Sequence, residues 1–172
     1  MKKLFENFRR YLNESAEPDH LSDKAELAIH PHSDVATAKS KPISYSGVVL
    51  DDESRKKLLS LGIPEGWEPV AHHMTITMGA LVHKKGKHDF SETYPVGSEI
   101  ELPVIAIGQD DRAMAAKVEA PSPIKTKSWP HVTVAVNRAG GGKPFHSNKI
   151  PEENFQPLSG VVLRGAVQEI PQ

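Results

Sequence analysis

The tetrapeptide His73-Met74-Thr75-Ile76 returns later in the chain as His131-Val132-Thr133-Val134, and each copy reads histidine, apolar, threonine, apolar. No other feature narrows the fold as much. Side chains of an extended strand alternate between faces, so each copy sends its His and Thr to one surface and its apolar pair to the other. One copy alone is an ordinary half-buried strand pattern. Two copies in a chain with 9 His arise by chance on the order of once in a hundred chains of this size. Side by side, the strands present two imidazoles and two hydroxyls to one cleft, an arrangement suited to an acid and a base flanking a phosphodiester. Neighbouring His72 does not fit the pattern, because Met74 stands two places beyond it.

At 172 residues the chain is long enough for one domain with a real core. Lys+Arg number 21 and Asp+Glu 22, which argues against a long nucleic-acid track and for a small nucleotide or an RNA end as ligand. The absence of Cys excludes a disulfide framework, a thiol nucleophile and thiolate zinc sites. No apolar run is long enough to span a bilayer or to serve as a secretory core, which points to a cytoplasmic setting.

Residues 1–14 read as a short amphipathic helix, with Leu4, Phe5, Phe8, Tyr11 and Leu12 at helical spacing. Residues 15–42 form a polar linker, where His20, His30 and His32 lack the carboxylate spacing of a metal site. The remainder, 43–172, carries the alternating patterns of one domain. Ile43–Leu50 is its first strand, and Tyr45 there is either a core or a cleft residue. Asp51, Asp52 and Glu53 open a helix that Gly62 and Pro64 end. The first motif falls in a strand over 71–80, with Thr77 continuing the His and Thr face. Lys84, Lys85, Lys87 and His88 form a basic hairpin tip. Strands over 99–108 and 113–119 flank a turn at 109–112.

A loop over 121–130 leads into the second motif, and its Trp129 either stacks on a base or packs beneath the loop. Beyond that motif, 137–143 contains three glycines with Arg138 and Lys143. The order is wrong for a Walker A loop, so a mobile lid that brings Lys143 over the cleft is the reading. A strand over 161–170 closes the domain, with Glu169 near its end. Tyr45, Trp129, Lys143 and Glu169 are the substrate-binding candidates.

HMTI and HVTV resemble the paired H-x-[ST]-x motifs of the 2H phosphoesterase superfamily. That LigT-like fold includes cyclic phosphodiesterases of RNA repair and phage enzymes that destroy cyclic oligonucleotide alarms. The order of elements is similar over 43–170. The resemblance implies an α+β fold of two-lobed antiparallel sheets with flanking helices around a central cleft. It implies His73, Thr75, His131 and Thr133 as the catalytic set, acting without metal or cofactor. The substrate would be a cyclic nucleotide, a cyclic oligonucleotide or an RNA 2′,3′-cyclic phosphate, with no membrane and no obligatory protein partner. Residues 1–14 resemble the head-targeting leaders of tailed-phage internal proteins, with Leu12-Asn13-Glu14 as the processing triplet. Three readings stand at this stage: an enzyme, in the host cytoplasm if phage-encoded; a sponge that binds such a ligand without cleaving it; and a packaged phage protein.

Overall fold

The computed structural model describes residues 41–125 and 129–172, so the expected leader at 1–14 and nearly all of the expected linker at 15–42 lie outside the described residues. The chain order is β1 (Ile43–Leu50), α1 (Asp52–Leu59), β2 (Glu68–Pro69), β3 (His73–Met78), β4 (Glu99–Gln109), β5 (Ala113–Val118) and β6 (His131–Val136). The 3-10 turns Pro144–Lys149 and Glu152–Asn154, β7 (Phe155–Pro157) and β8 (Val162–Pro171) complete it.

Helix α1 follows from its ends. Asp51 Oδ1 accepts the Ser54 N–H at 2.7 Å, and these bonds hold the Asp51 carboxyl below its usual pKa. Asp52 and Glu53 occupy the first turn and Lys56 and Lys57 the last, each sign matching the helix dipole. The helix buries Leu58, and buried Ser54 accepts the Arg164 N–H at 2.7 Å, which fastens α1 to β8. The β4–β5 turn is equally local. Asp110 Oδ1 accepts the N–H groups of Arg112 and Ala113, both at 2.8 Å, in the reversal expected at 109–112.

All eight strands pair antiparallel in one sheet, in the order β2-β6-β3-β1-β8-β4-β5, with β7 on β4. β5 also pairs with β6, so β6-β3-β1-β8-β4-β5 closes into a ring. Closure removes the free edges that an open sheet would leave. Val48, Met74, Ile76, Leu102, Val118, Val132, Val134, Leu163 and Val167 belong to the core cluster. This α+β chain is therefore mostly antiparallel sheet, with α1 the single α-helix among the described residues. No helix among them is long and apolar enough to cross a membrane.

Two irregularities shape β3. Ala71 N–H reaches the Thr133 carbonyl at 2.9 Å, yet Met74 stands opposite Val132. His72 and His73 are thus extra residues in that ladder, and Ala71 takes a left-handed φ of 36° at the bend. The strand consequently begins at His73, later than the expected 71. A second irregularity lies against β1, where Gly47 faces Thr75 but Ser46 faces Thr77. Ile76 is the added residue, and the alternation changes phase there. Thr77, expected beside His73 and Thr75, lies on the Ser46 side and is 1% exposed.

Candidate active site

Met74, Ile76, Val132 and Val134 are all 0% exposed, which settles the phase of both motif strands. Fully burying such a side chain contributes about 1.5–3 kcal/mol. A one-residue slip of both strands would expose all four, at a cost of roughly 6–12 kcal/mol. His73, Thr75, His131 and Thr133 therefore share the opposite face, where each is half-buried. Met74 stands opposite Val132 in an antiparallel pair, so the two motif strands lie side by side at that point. The two motifs meet head to tail, and His73 feels the charge of His131.

His73 stacks on Tyr45, with ring centroids 4.5 Å apart and planes 26° from parallel. The Tyr45 hydroxyl lies 3.5 Å from His73 Nδ1, and His72 Nδ1 lies 3.2 Å from the same atom. Tyr45, Gly47 and Val49 share a face of β1, and Gly47 puts no side chain between the Tyr45 ring and the motif. A Cβ on Gly47 would stand 2.5 Å from the Met74 carbonyl oxygen, so the close approach of β1 to β3 requires glycine there. Burial, then the neighbouring His72, then His131, push the His73 pKa down to about 4. Burial raises the Tyr45 pKa.

His131 is held differently. Its Nδ1 donates to the Trp129 carbonyl at 2.9 Å, and its Nε2 lies 3.0 Å from Ser147 Oγ. Ser147 Oγ is also 2.9 Å from Thr133 Oγ1. Burial lowers the His131 pKa, and the Trp129 carbonyl opposes that shift. Thr75, by contrast, makes no side-chain hydrogen bond to any described residue.

Tyr45 belongs to this constellation through its ring. Trp129 borders it edge-on to His131 at 4.8 Å, and its other contacts are packing ones: Phe155 at 4.6 Å and the Lys117 ammonium 4.8 Å from the ring centroid. Lys143 is exposed at the start of the turn that carries Ser147, and its N–H donates to His146 Nδ1 at 3.1 Å. Glu169 accepts the Leu81 N–H at 2.8 Å, and no hydrogen bond joins it to the motif residues.

The glycine loop expected as a mobile lid is fastened down. Gly142 N–H donates to the Asn137 carbonyl at 2.7 Å, Asn137 Nδ2 donates to the Asp111 carbonyl at 2.9 Å, and Arg138 forks onto Glu68 at 2.7 and 3.0 Å. In the basic tip, Lys84, Lys85 and Lys87 are exposed, while His88 packs on Phe90 and bonds the Ala80 carbonyl. Among the described residues no group of three His, Asp or Glu side chains is placed to hold a metal ion.

Ser147 is the site residue that the sequence did not disclose. It sits in 144–149, which has neither helical nor strand periodicity, and only folding brings it against His131. Neither the protein-family models nor the curated proteins match this chain.

Proposed function

We propose that the paired strands form the active site of a metal-independent phosphodiesterase that acts on a cyclic nucleotide, a cyclic oligonucleotide or an RNA 2′,3′-cyclic phosphate. The observation that carries this reading is the register Met74 opposite Val132, which puts two imidazoles and two hydroxyls on one face. In this reading the ring is two lobes, β3-β1-β8 with α1 and β4-β5-β6, whose junction at β3 and β6 is the cleft of a 2H phosphoesterase-like fold.

His73, whose pKa is pushed to about 4, is neutral at physiological pH and acts as general base. It takes a proton from the attacking water as oxygen bonds to phosphorus. His131 gives a proton to the ribose oxygen that leaves. One proton is gained and one given up, so the pair ends the cycle needing only exchange with solvent. Thr75 and Thr133 donate to the non-bridging oxygens, where charge grows in the transition state. Removal of a host's cyclic oligonucleotide signal by a phage enzyme is one biological setting for this chemistry.

The test is a product screen. The protein is incubated with cyclic dinucleotides and with 2′,3′-cyclic AMP, with and without EDTA, and the products are separated. Turnover that survives the chelator is expected. Stoichiometric retention without turnover would identify a sponge, and activity restored only by a divalent ion would identify a different chemistry.

A further inference from the structure

Ser147 is 0% exposed on the turn Pro144–Lys149 and gathers three polar neighbours around one oxygen. The Pro144 carbonyl lies at 2.6 Å, Thr133 Oγ1 at 2.9 Å and His131 Nε2 at 3.0 Å. A carbonyl only accepts, so two oxygens at 2.6 Å need a proton between them, and only Ser147 can supply it. The single hydroxyl proton of Ser147 is therefore committed to Pro144. What it turns toward His131 and Thr133 is lone pairs. Thr133 can donate into one of them. His131 Nε2 must carry a proton to bond the other, while Nδ1 of the same ring already faces a second pure acceptor, the Trp129 carbonyl, at 2.9 Å. A ring that satisfies both partners at once is protonated on both nitrogens.

We propose that Ser147 is a positioning residue for the second motif: its hydroxyl, locked onto Pro144, holds a proton on His131 Nε2, aims Thr133 at the same point, and makes His131 the proton-donating half. The proposal rests on the phosphodiesterase reading for its purpose, but its geometry does not depend on it. On substrate binding, the leaving oxygen takes the place of Ser147 Oγ as acceptor. The Nε2–H bond breaks as the leaving oxygen parts from phosphorus, an O–H bond forms on that oxygen, and the imidazolium becomes a neutral ring with Nδ1–H still on the Trp129 carbonyl.

The surroundings of His131 leave this task to Ser147. From β3 the facing titratable group is His73, itself next to His72. From β5 it is Lys117, the register partner of His131, whose ammonium is held by Glu152. On the turn itself, buried His146 accepts the Lys143 N–H through Nδ1. No carboxylate among the described residues bonds His131, so the Trp129 carbonyl and Ser147 are the acceptors it has.

The experiment is an imidazole NMR titration of His131 in the full chain, wild type against Ser147→Ala, with His131→Gln used to assign the resonance. The midpoint of His131 should fall by about one pH unit in Ser147→Ala, the loss expected for one hydrogen bond to a charged group. Ser147→Cys, nearly isosteric but a weaker acceptor, gives the same readout with a smaller fall should the alanine variant not fold. A midpoint unchanged or raised in a folded variant overturns the proposal. This readout does not need turnover, so it fails independently of the phosphodiesterase reading. Where turnover is measured, Ser147→Ala should lower kcat with KM nearly unchanged. A rise in kcat would make Ser147 a plug in the site and also overturn the proposal.

Discussion

The two motifs are nearly the same four residues, yet folding places them in unlike company. His73 sits beside His72, stacks on Tyr45 and is pressed toward the neutral form. His131 has an acceptor at each nitrogen, and Thr133 shares one of them. Thr75 is free of side-chain partners among the described residues. Identical local chemistry can thus supply opposite halves of a proton-transfer pair, with the role assigned by what packs around each ring rather than by the motif.

The sharpest way to break this comparison is to remove each imidazole in turn. His73→Ala and His131→Ala should each lower kcat/KM on the order of 10²–10⁴ with the fold intact, and the double variant should cost little more than either single one, because the two act as a unit. A folded single variant with full activity would take its ring out of the mechanism. The hydroxyls come next. Thr75→Val and Thr133→Val should each cost on the order of 10² in kcat, but only Thr133→Val should also lower thermal stability, since of the two only the Thr133 hydroxyl is hydrogen-bonded among the described residues, to Ser147 Oγ and the Pro144 carbonyl. Equal stability losses would erase the difference between the halves.

The pH profile gives a smaller effect with a definite sign. The proposed mechanism needs His73 without a proton, hence above about 4, and His131 with one, hence below a midpoint that burial holds under the ordinary 6.5. A bell on the acid side of neutrality is expected. His72→Ala removes a neighbouring charge that opposes protonation of His73, so the His73 pKa rises and the acid limb moves to higher pH, with the alkaline limb in place. An acid limb that stays still or moves down would show that His73 is not the group titrating there.

Much of this molecule is legible residue by residue because the physics is local. The strand Ile43–Leu50, the Asp51 cap with its acidic first turn, and the Asp110 reversal between β4 and β5 need only nearby atoms. Alternation likewise predicts that Met74, Ile76, Val132 and Val134 face one way and the His and Thr pairs the other, which is how burial sorts them. The reading fails where a distant strand intrudes. Thr77 leaves the expected face because Ile76 is an extra residue of β3 in its ladder with β1, and the glycine loop is tied by Arg138 to Glu68 on β2 rather than left as a lid.

A strand's period of two is a property of its own backbone, so four residues suffice to say that each imidazole has a hydroxyl companion and an apolar reverse side. Which strand lies alongside, and at what offset, depends on the closure of the whole ring. That closure set Met74 against Val132 and swung the turn with Ser147 onto His131. Pairing energies between distant segments are summed over many residues, and no short stretch carries that sum.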